Sequence, residues 1–158
     1  MGCLCLKFRL NNLKWLNGKN KIMKIPEGKH IILFDGVCNF CNTTINKIIE
    51  KDKQDLYVFA SLQSEIGQEI LQHIGVDKTT DSIVLYQPGV AYYLKSDVVI
   101  QVARELGGRY YFLSWLRIFP KFLRDIGYDY FAKNRYKWFG KKDACIIPSP
   151  EVKAKFLS

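Results

Sequence analysis

No stretch of this sequence reaches the roughly 18 apolar residues that a membrane-spanning helix requires, because Lys, Arg, Asp or Glu interrupts every hydrophobic run. A soluble protein is therefore expected. Cysteine is scarce and unevenly placed, with five residues at positions 3, 5, 38, 41 and 145. An odd number without an even framework argues against a disulfide-stapled secreted module and for a reducing compartment, the cytoplasm. The chain also lacks a second C-x-x-C, so a zinc site would have to recruit Cys145, His30, His73, Cys3 or Cys5. Haem attachment needs His after the second cysteine of the pair, and Asn42 stands there. Nothing resembles a flavin or nicotinamide site, so no bound cofactor is expected. Only five prolines occur in 158 residues, with no repeat and no low-complexity tract. The composition thus gives no reason to expect a largely disordered chain.

Acidic residues are the other shortage, 15 against 24 Lys and Arg, for a net charge of +9. Most of the excess is local: residues 1–29 hold seven basic residues and one Glu, +6, and residues 30–158 hold seventeen against fourteen, +3. The body is only mildly basic, which weakens the case for a fold built to hold polyanions. Residues 1–28 are expected to form a basic N-terminal extension, and residues 29–158 one domain. Leu6 stands where a myristoylation signal needs Ser or Thr. Lys7 and Arg9 cut short any secretory signal. Leu13, Trp15, Leu16 and Ile22 leave two readings of the extension, a flexible tail or a weak membrane-surface helix. Met23 is a third possibility, as an alternative start leading directly into the first strand.

What the sequence does hold is a regular succession of elements. Ile31-Ile32-Leu33-Phe34 is a short apolar run closed by Asp35-Gly36, the pattern of a strand buried on both faces. Cys41, Ile45, Ile48 and Ile49 then form the stripe of an amphipathic helix running to about Lys51. Leu56 to Ala60 reads as a second strand, so the unit is strand-helix-strand with parallel pairing. Ile66, Ile70 and Ile74 mark a second helix with Ser64 as N-cap and Gly75 as C-terminal stop. Ser82–Tyr86 and Val90–Leu94, joined by Gln87-Pro88-Gly89, predict an antiparallel hairpin through a type II turn. Ser96 or Asp97 then caps a helix ended by Gly107-Gly108. The order β-α-β-α-β-β-α is that of an α/β thioredoxin-like fold with a central four-stranded mixed sheet. Tyr111 to Phe139 adds a helical tail, with Pro120 in its first turn and Phe119, Phe122, Leu123, Ile126, Tyr130 and Trp138 expected to face the core. That packing is preferred over a stacking surface for nucleic acid.

Cys38 and Cys41 fall at the start of the first helix, where residues three apart bring their sulfurs together. The helix N-terminus favours a thiolate at Cys38, expected to be exposed, while Cys41 opens the apolar stripe and is expected to be buried. Cys38 is thus the expected nucleophile and Cys41 the resolving thiol. Asp35, three residues before Cys38, disfavours a thiolate by its charge. Three roles stand open for it: a base for Cys41, a helix cap, or part of the Asp-Gly turn. The competing reading of the pair is a non-catalytic module in which the same cysteines hold a metal or a partner.

With Asp35, Cys38 and Cys41 in place, the chain resembles the DCC family of predicted thiol-disulfide oxidoreductases, named for its Asp-x-x-Cys-x-x-Cys motif. The resemblance extends to Asp81-Ser82-Ile83-Val84, Lys95-Ser96-Asp97 and Tyr128 to Tyr136, and covers roughly residues 29–157. It implies protein-disulfide reductase activity but not the substrate; a disulfide-containing protein or a small thiol, and an unidentified electron donor, are the expected partners. Nucleic acid is not among the expected partners, and membrane contact is confined to the N-terminal segment. One departure concerns docking: thioredoxins place a cis-proline before the third strand, and Thr80-Asp81-Ser82 stands there in this chain.

Overall fold

The structure, a computed structural model, describes residues 28–141 and 153–157. Met23, Cys3, Cys5, Cys145 and the N-terminal extension lie outside them. The chain order is β1 (His30–Phe34), α1 (Asn39–Lys51), β2 (Tyr57–Ser61), α2 (Glu65–Ile74), β3 (Val84–Gln87), β4 (Ala91–Leu94) and α3 (Ser96–Leu106). A 3-10 segment, Gly108–Ile118, and a long helix α4, Lys121–Phe139, follow. The four strands form one mixed sheet in the order β2-β1-β3-β4, with β1 parallel to β2 and antiparallel to β3. This is the thioredoxin-like arrangement expected from the order of elements, with α4 appended.

Alternation along β1 divides the core. Ile32 and Phe34 point to one face and pack with Ile45 and Ile48 of α1 and Val98 and Val102 of α3. Ile31 and Leu33 point to the other and pack with Ile70 and Leu71 of α2. All four β1 side chains are essentially inaccessible to solvent. That is why this strand reads as a continuous apolar run rather than an alternating one. At α2 the expected caps are both present: Ser64 Oγ accepts the Gly67 N–H at 3.0 Å, and Gly75 takes φ 72°. The β3–β4 turn closes with Val90 N–H on the Gln87 carbonyl at 3.0 Å, Gly89 supplying φ 74°.

Two features differ from the sequence-based expectation. At the start of α3, Lys95 is the N-cap and makes no side-chain cap. Ser96 and Asp97 are diverted to α4 instead: Ser96 Oγ donates to Asp125 Oδ1 at 2.5 Å, and Arg124 reaches Asp97 at 2.9 Å. A tertiary partner outcompetes the local cap. The second concerns the tail, where the expected core-facing aromatics turn outward and Phe119, Phe122, Leu123, Ile126, Tyr130 and Trp138 are all exposed. The helical period was right and the side was wrong. Toward the body, α4 presents Ala132 and Arg135, and much of its attachment is polar, through Lys95–Asp129, Arg124–Asp97 and Asp35–Arg135.

The free edge of β2 is covered by residues 155–157. Phe59 N–H donates to the Lys155 carbonyl and Leu157 N–H to the Phe59 carbonyl, both at 2.8 Å. Phe156 inserts its ring against Phe34 and Phe59. This short return protects an otherwise unpaired strand edge.

Candidate active site

The cysteine loop begins where β1 stops. Leaving the strand, Asp35 folds the chain back by two bonds: its carbonyl accepts Cys38 N–H at 3.3 Å and its Oδ1 accepts Val37 N–H at 3.1 Å. Gly36 lies against β2 so closely that a Cβ there would come within 2.8 Å of Ser61 Oγ. Its carbonyl takes a hydrogen bond from Asn42 Nδ2 at 2.9 Å, which ties the loop to α1. The turn reading of Asp35 is therefore realised in the structure.

Cys38 is the N-cap of α1, and its Sγ accepts the backbone N–H of Cys41 at 3.3 Å. A sulfur in this position takes the place of the usual Ser or Asp cap oxygen. Both thiols are free. Their exposure is the reverse of the expectation: Cys38 is fully buried and Cys41 is half-buried. The cause is the end of α4. The backbone of Lys141 pairs with Cys38 as an isolated antiparallel bridge, Asn39 Nδ2 donates to the Phe139 carbonyl at 2.8 Å, and Phe40 packs between Phe131 and Phe139 with ring centroids 4.8 and 4.9 Å away. Nothing in the local spacing of the cysteines could reveal a cover contributed from a hundred residues downstream.

Burial pushes the Cys41 thiol well above its ordinary pKa, reinforced by its hydrogen bond to Cys38 and by the charges of Cys38 and Asp35, with Arg135 opposing. Cys41 is thus held protonated, beside a Cys38 sulfur that receives its N–H.

Beneath the pair lies a cluster that the cysteine motif alone does not disclose. Asp35 is buried, and Arg135 Nη2 pairs with its Oδ2 at 2.8 Å. Tyr136 Oη donates to the same oxygen, and Gln63 Nε2 donates to Oδ1 at 2.9 Å. Burial acts to raise the carboxyl's pKa, but the bonds from Tyr136, Arg135, Val37 and Gln63 outweigh it, and the net shift is downward. The Arg135 guanidinium is itself buried and lies over the Tyr136 ring at 4.6 Å, with Lys141 Nζ against the same ring at 4.1 Å. Burial and the Asp35 carboxylate push the Tyr136 hydroxyl up to about 12, so it remains a donor at neutral pH. In the sequence, Arg135 and Tyr136 stood out only as part of the Tyr128 to Tyr136 stretch that carries the family resemblance. The signal that could have found them is Asp35 itself, since a carboxylate at the end of a buried strand demands a cation.

Where thioredoxins carry their cis-proline, the Ile83 N–H donates to Tyr128 Oη at 3.1 Å, and Asp81 lies 3.7 Å from Arg135. That backbone donor is thus satisfied by α4. Among the described residues no peptide bond is cis, and no three or more His, Cys, Asp or Glu come together as a metal site would require. No helix of the described residues is long and apolar enough to cross a membrane.

Comparison with known proteins identifies relatives of this chain. An uncharacterized protein of Bacillus subtilis, YuxK, is 45% identical over 128 residues, spanning 80% of this chain and 93% of the relative. A chloroplastic DCC family protein of Arabidopsis thaliana is 30% identical over 138 residues, spanning 87% of this chain and 80% of that protein. No solved structure gives a significant match. The family described as DCC1-like thiol-disulfide oxidoreductase matches residues 32–141, a span that begins within β1, contains Asp35, Cys38, Cys41, Arg135 and Tyr136, and ends at the residue that bridges to Cys38. The chain therefore belongs to the DCC1-like thiol-disulfide oxidoreductase family.

Proposed function

We propose that Cys38 and Cys41 cycle between dithiol and disulfide, and that the protein acts as a reductase of protein or small-molecule disulfides. The observation that carries this reading is the Cys38 sulfur at the N-cap of α1, accepting the N–H of a second cysteine one helical turn on. In the forward step the Cys38 thiolate attacks one sulfur of the substrate disulfide. The other substrate sulfur leaves as a thiolate and takes a proton from solvent. Cys41 then attacks Cys38 Sγ as its proton passes to the departing substrate sulfur, forming the 38–41 disulfide and releasing the second substrate thiol. The substrate gains two electrons, the protein loses two, and an external dithiol restores it. No bound cofactor is needed for this cycle, and a reducing compartment such as the cytoplasm suits it.

In this scheme Asp35 is a positioning residue rather than a base. Four donors already occupy its oxygens, and a carboxyl with a lowered pKa is a weak proton acceptor. It fixes the loop that presents Cys38 and joins that loop to α4. The test is catalysed exchange: with dithiothreitol as donor, the wild-type chain accelerates reduction of a disulfide-linked glutathione probe above the uncatalysed rate. No acceleration, or stoichiometric zinc bound to the freshly purified protein through these thiols, would contradict the proposal.

A further inference from the structure

Helix α4 is built inside out. Its body-facing side is tied to the fold by ion pairs, while Phe122, Ile126 and Tyr130 make one exposed stripe, each more than 60% accessible. The preceding 3-10 segment exposes Phe112, Trp115 and Ile118 as well, 66, 68 and 81% accessible. So many large apolar side chains in water are costly and mark a surface that meets something apolar. An open apolar cavity of about 390 Å³ between α3, the 3-10 segment and α4, floored by Leu116, Phe119 and Leu123, lies in the same region.

Charge says what that something is. Residues 28–107 carry seven basic and ten acidic side chains, a balance of −3, whereas residues 108–141 carry eight and two, a balance of +6. Both acidic residues of the second set are paired, Asp125 to Lys121 and Asp129 to Lys95. Arg117, Lys133 and Lys137 are exposed and make no ion pair among the described residues. Lys133 and Lys137 continue the turn spacing of Ile126 and Tyr130 toward the C-terminal end of α4. Aromatic and aliphatic side chains flanked by unpaired Lys and Arg are the composition of a helix lying in a lipid interface.

We propose that the face formed by residues 112–137 docks on a membrane surface carrying anionic lipid, its apolar stripe entering the acyl boundary and its basic residues meeting the headgroups. A second copy of the chain fits less well, because a two-fold contact would set the unpaired Arg117, Lys133 and Lys137 of one face against those of the other. Residues 1–27, with six basic residues and one Glu, carry +5, a charge that does not complement a basic face. The patch also reaches the cysteine loop, since Tyr130 and Phe131 pack on Trp138, and Phe131 packs on Phe40.

The test uses the full-length chain and does not depend on its redox activity. Wild-type protein should co-sediment with vesicles made of equal parts phosphatidylglycerol and phosphatidylcholine, and much less with phosphatidylcholine alone. Phe122→Ser with Ile126→Ser, and separately Lys133→Gln with Lys137→Gln, should each lower the partition coefficient roughly tenfold or more. Thermal unfolding should be unchanged in both, because all four side chains are exposed. No binding to the mixed vesicles overturns the proposal. So does binding that both pairs leave intact, which would move the contact to another part of the chain. A concentration-dependent dimer that the Phe122 and Ile126 substitutions dissolve, without vesicle binding, would overturn it in favour of self-association.

Discussion

Arg135→Met should lower the unfolding free energy by about 3–5 kcal/mol at neutral pH, because it strands the Asp35 carboxylate in the interior. Both partners of this pair are only 3% exposed, so solvent cannot replace the lost cation. A loss of this size corresponds to a fall in Tm on the order of 10 °C for a domain of this length. The sign with pH separates the cause from general disruption. In the wild type, Asp35 has a folded pKa below its unfolded value. Its stabilising contribution is complete above the unfolded pKa of about 3.9 and is lost as pH falls through the lower folded value. With Arg135 replaced, one of the bonds that oppose burial is gone and the folded pKa rises, so the variant loses less stability than the wild type on acidification. The gap between the two proteins should be widest at neutral pH and narrow toward pH about 4. Adding Asp35→Asn should recover part of the deficit, since the stranded charge is then gone. Denaturant unfolding across pH checks this; a neutral-pH loss below about 1 kcal/mol, or one that does not change with pH, would refute the pairing.

Cys41→Ser should accumulate a mixed disulfide at Cys38, with turnover down by about 1,000-fold or more. Serine keeps the backbone N–H that caps the Cys38 sulfur, so attack survives and resolution does not. Cys38→Ser should lose turnover to a similar degree and trap nothing. The remaining Cys41 thiol is held protonated by burial, and a thiol is a poor nucleophile beside its thiolate. Because the Lys141 backbone covers Cys38, trapping requires that bridge to open. Asn39→Ala, which removes the side-chain bond to the Phe139 carbonyl beside the bridge, should therefore speed trapping by Cys41→Ser protein. Peptide mass mapping of the adduct decides the roles. A mixed disulfide on Cys41 in the Cys38→Ser protein would reverse them and assign attack to the more accessible thiol.

Much of the architecture was legible because the core strands and helices are specified locally. β1 is buried on both faces and reads as four consecutive apolar residues. α2 carries both its caps in its own sequence, and the β3–β4 turn carries its Pro-Gly signature. The cysteine pair was legible for the same reason, since strand, turn and helix start are contiguous. What failed to show depends on partners distant in sequence. The cap at α3 was misassigned because Ser96 and Asp97 are claimed by Asp125 and Arg124. The exposure of Cys38 was inverted because its cover arrives from Lys141. The stripe on α4 has helical period, but period does not say which side faces inward, and here ion pairs hold the inner side. Asp35 was recognised as anomalous near a thiolate, and only the fold supplies the Arg135 and Tyr136 that make a buried carboxylate tolerable.

The redox couple itself is tested most directly by equilibrating the full-length protein in glutathione buffers of graded potential and alkylating the remaining thiols for mass mapping. Cys38 and Cys41 should lose reactivity together, in one two-electron transition with no metal bound. Its midpoint should fall between about −270 mV, as for a thioredoxin-like reductant, and about −120 mV, as for a strong oxidant. Thiols at 38 and 41 that remain independently alkylatable across that range would show that they are not a dithiol-disulfide pair.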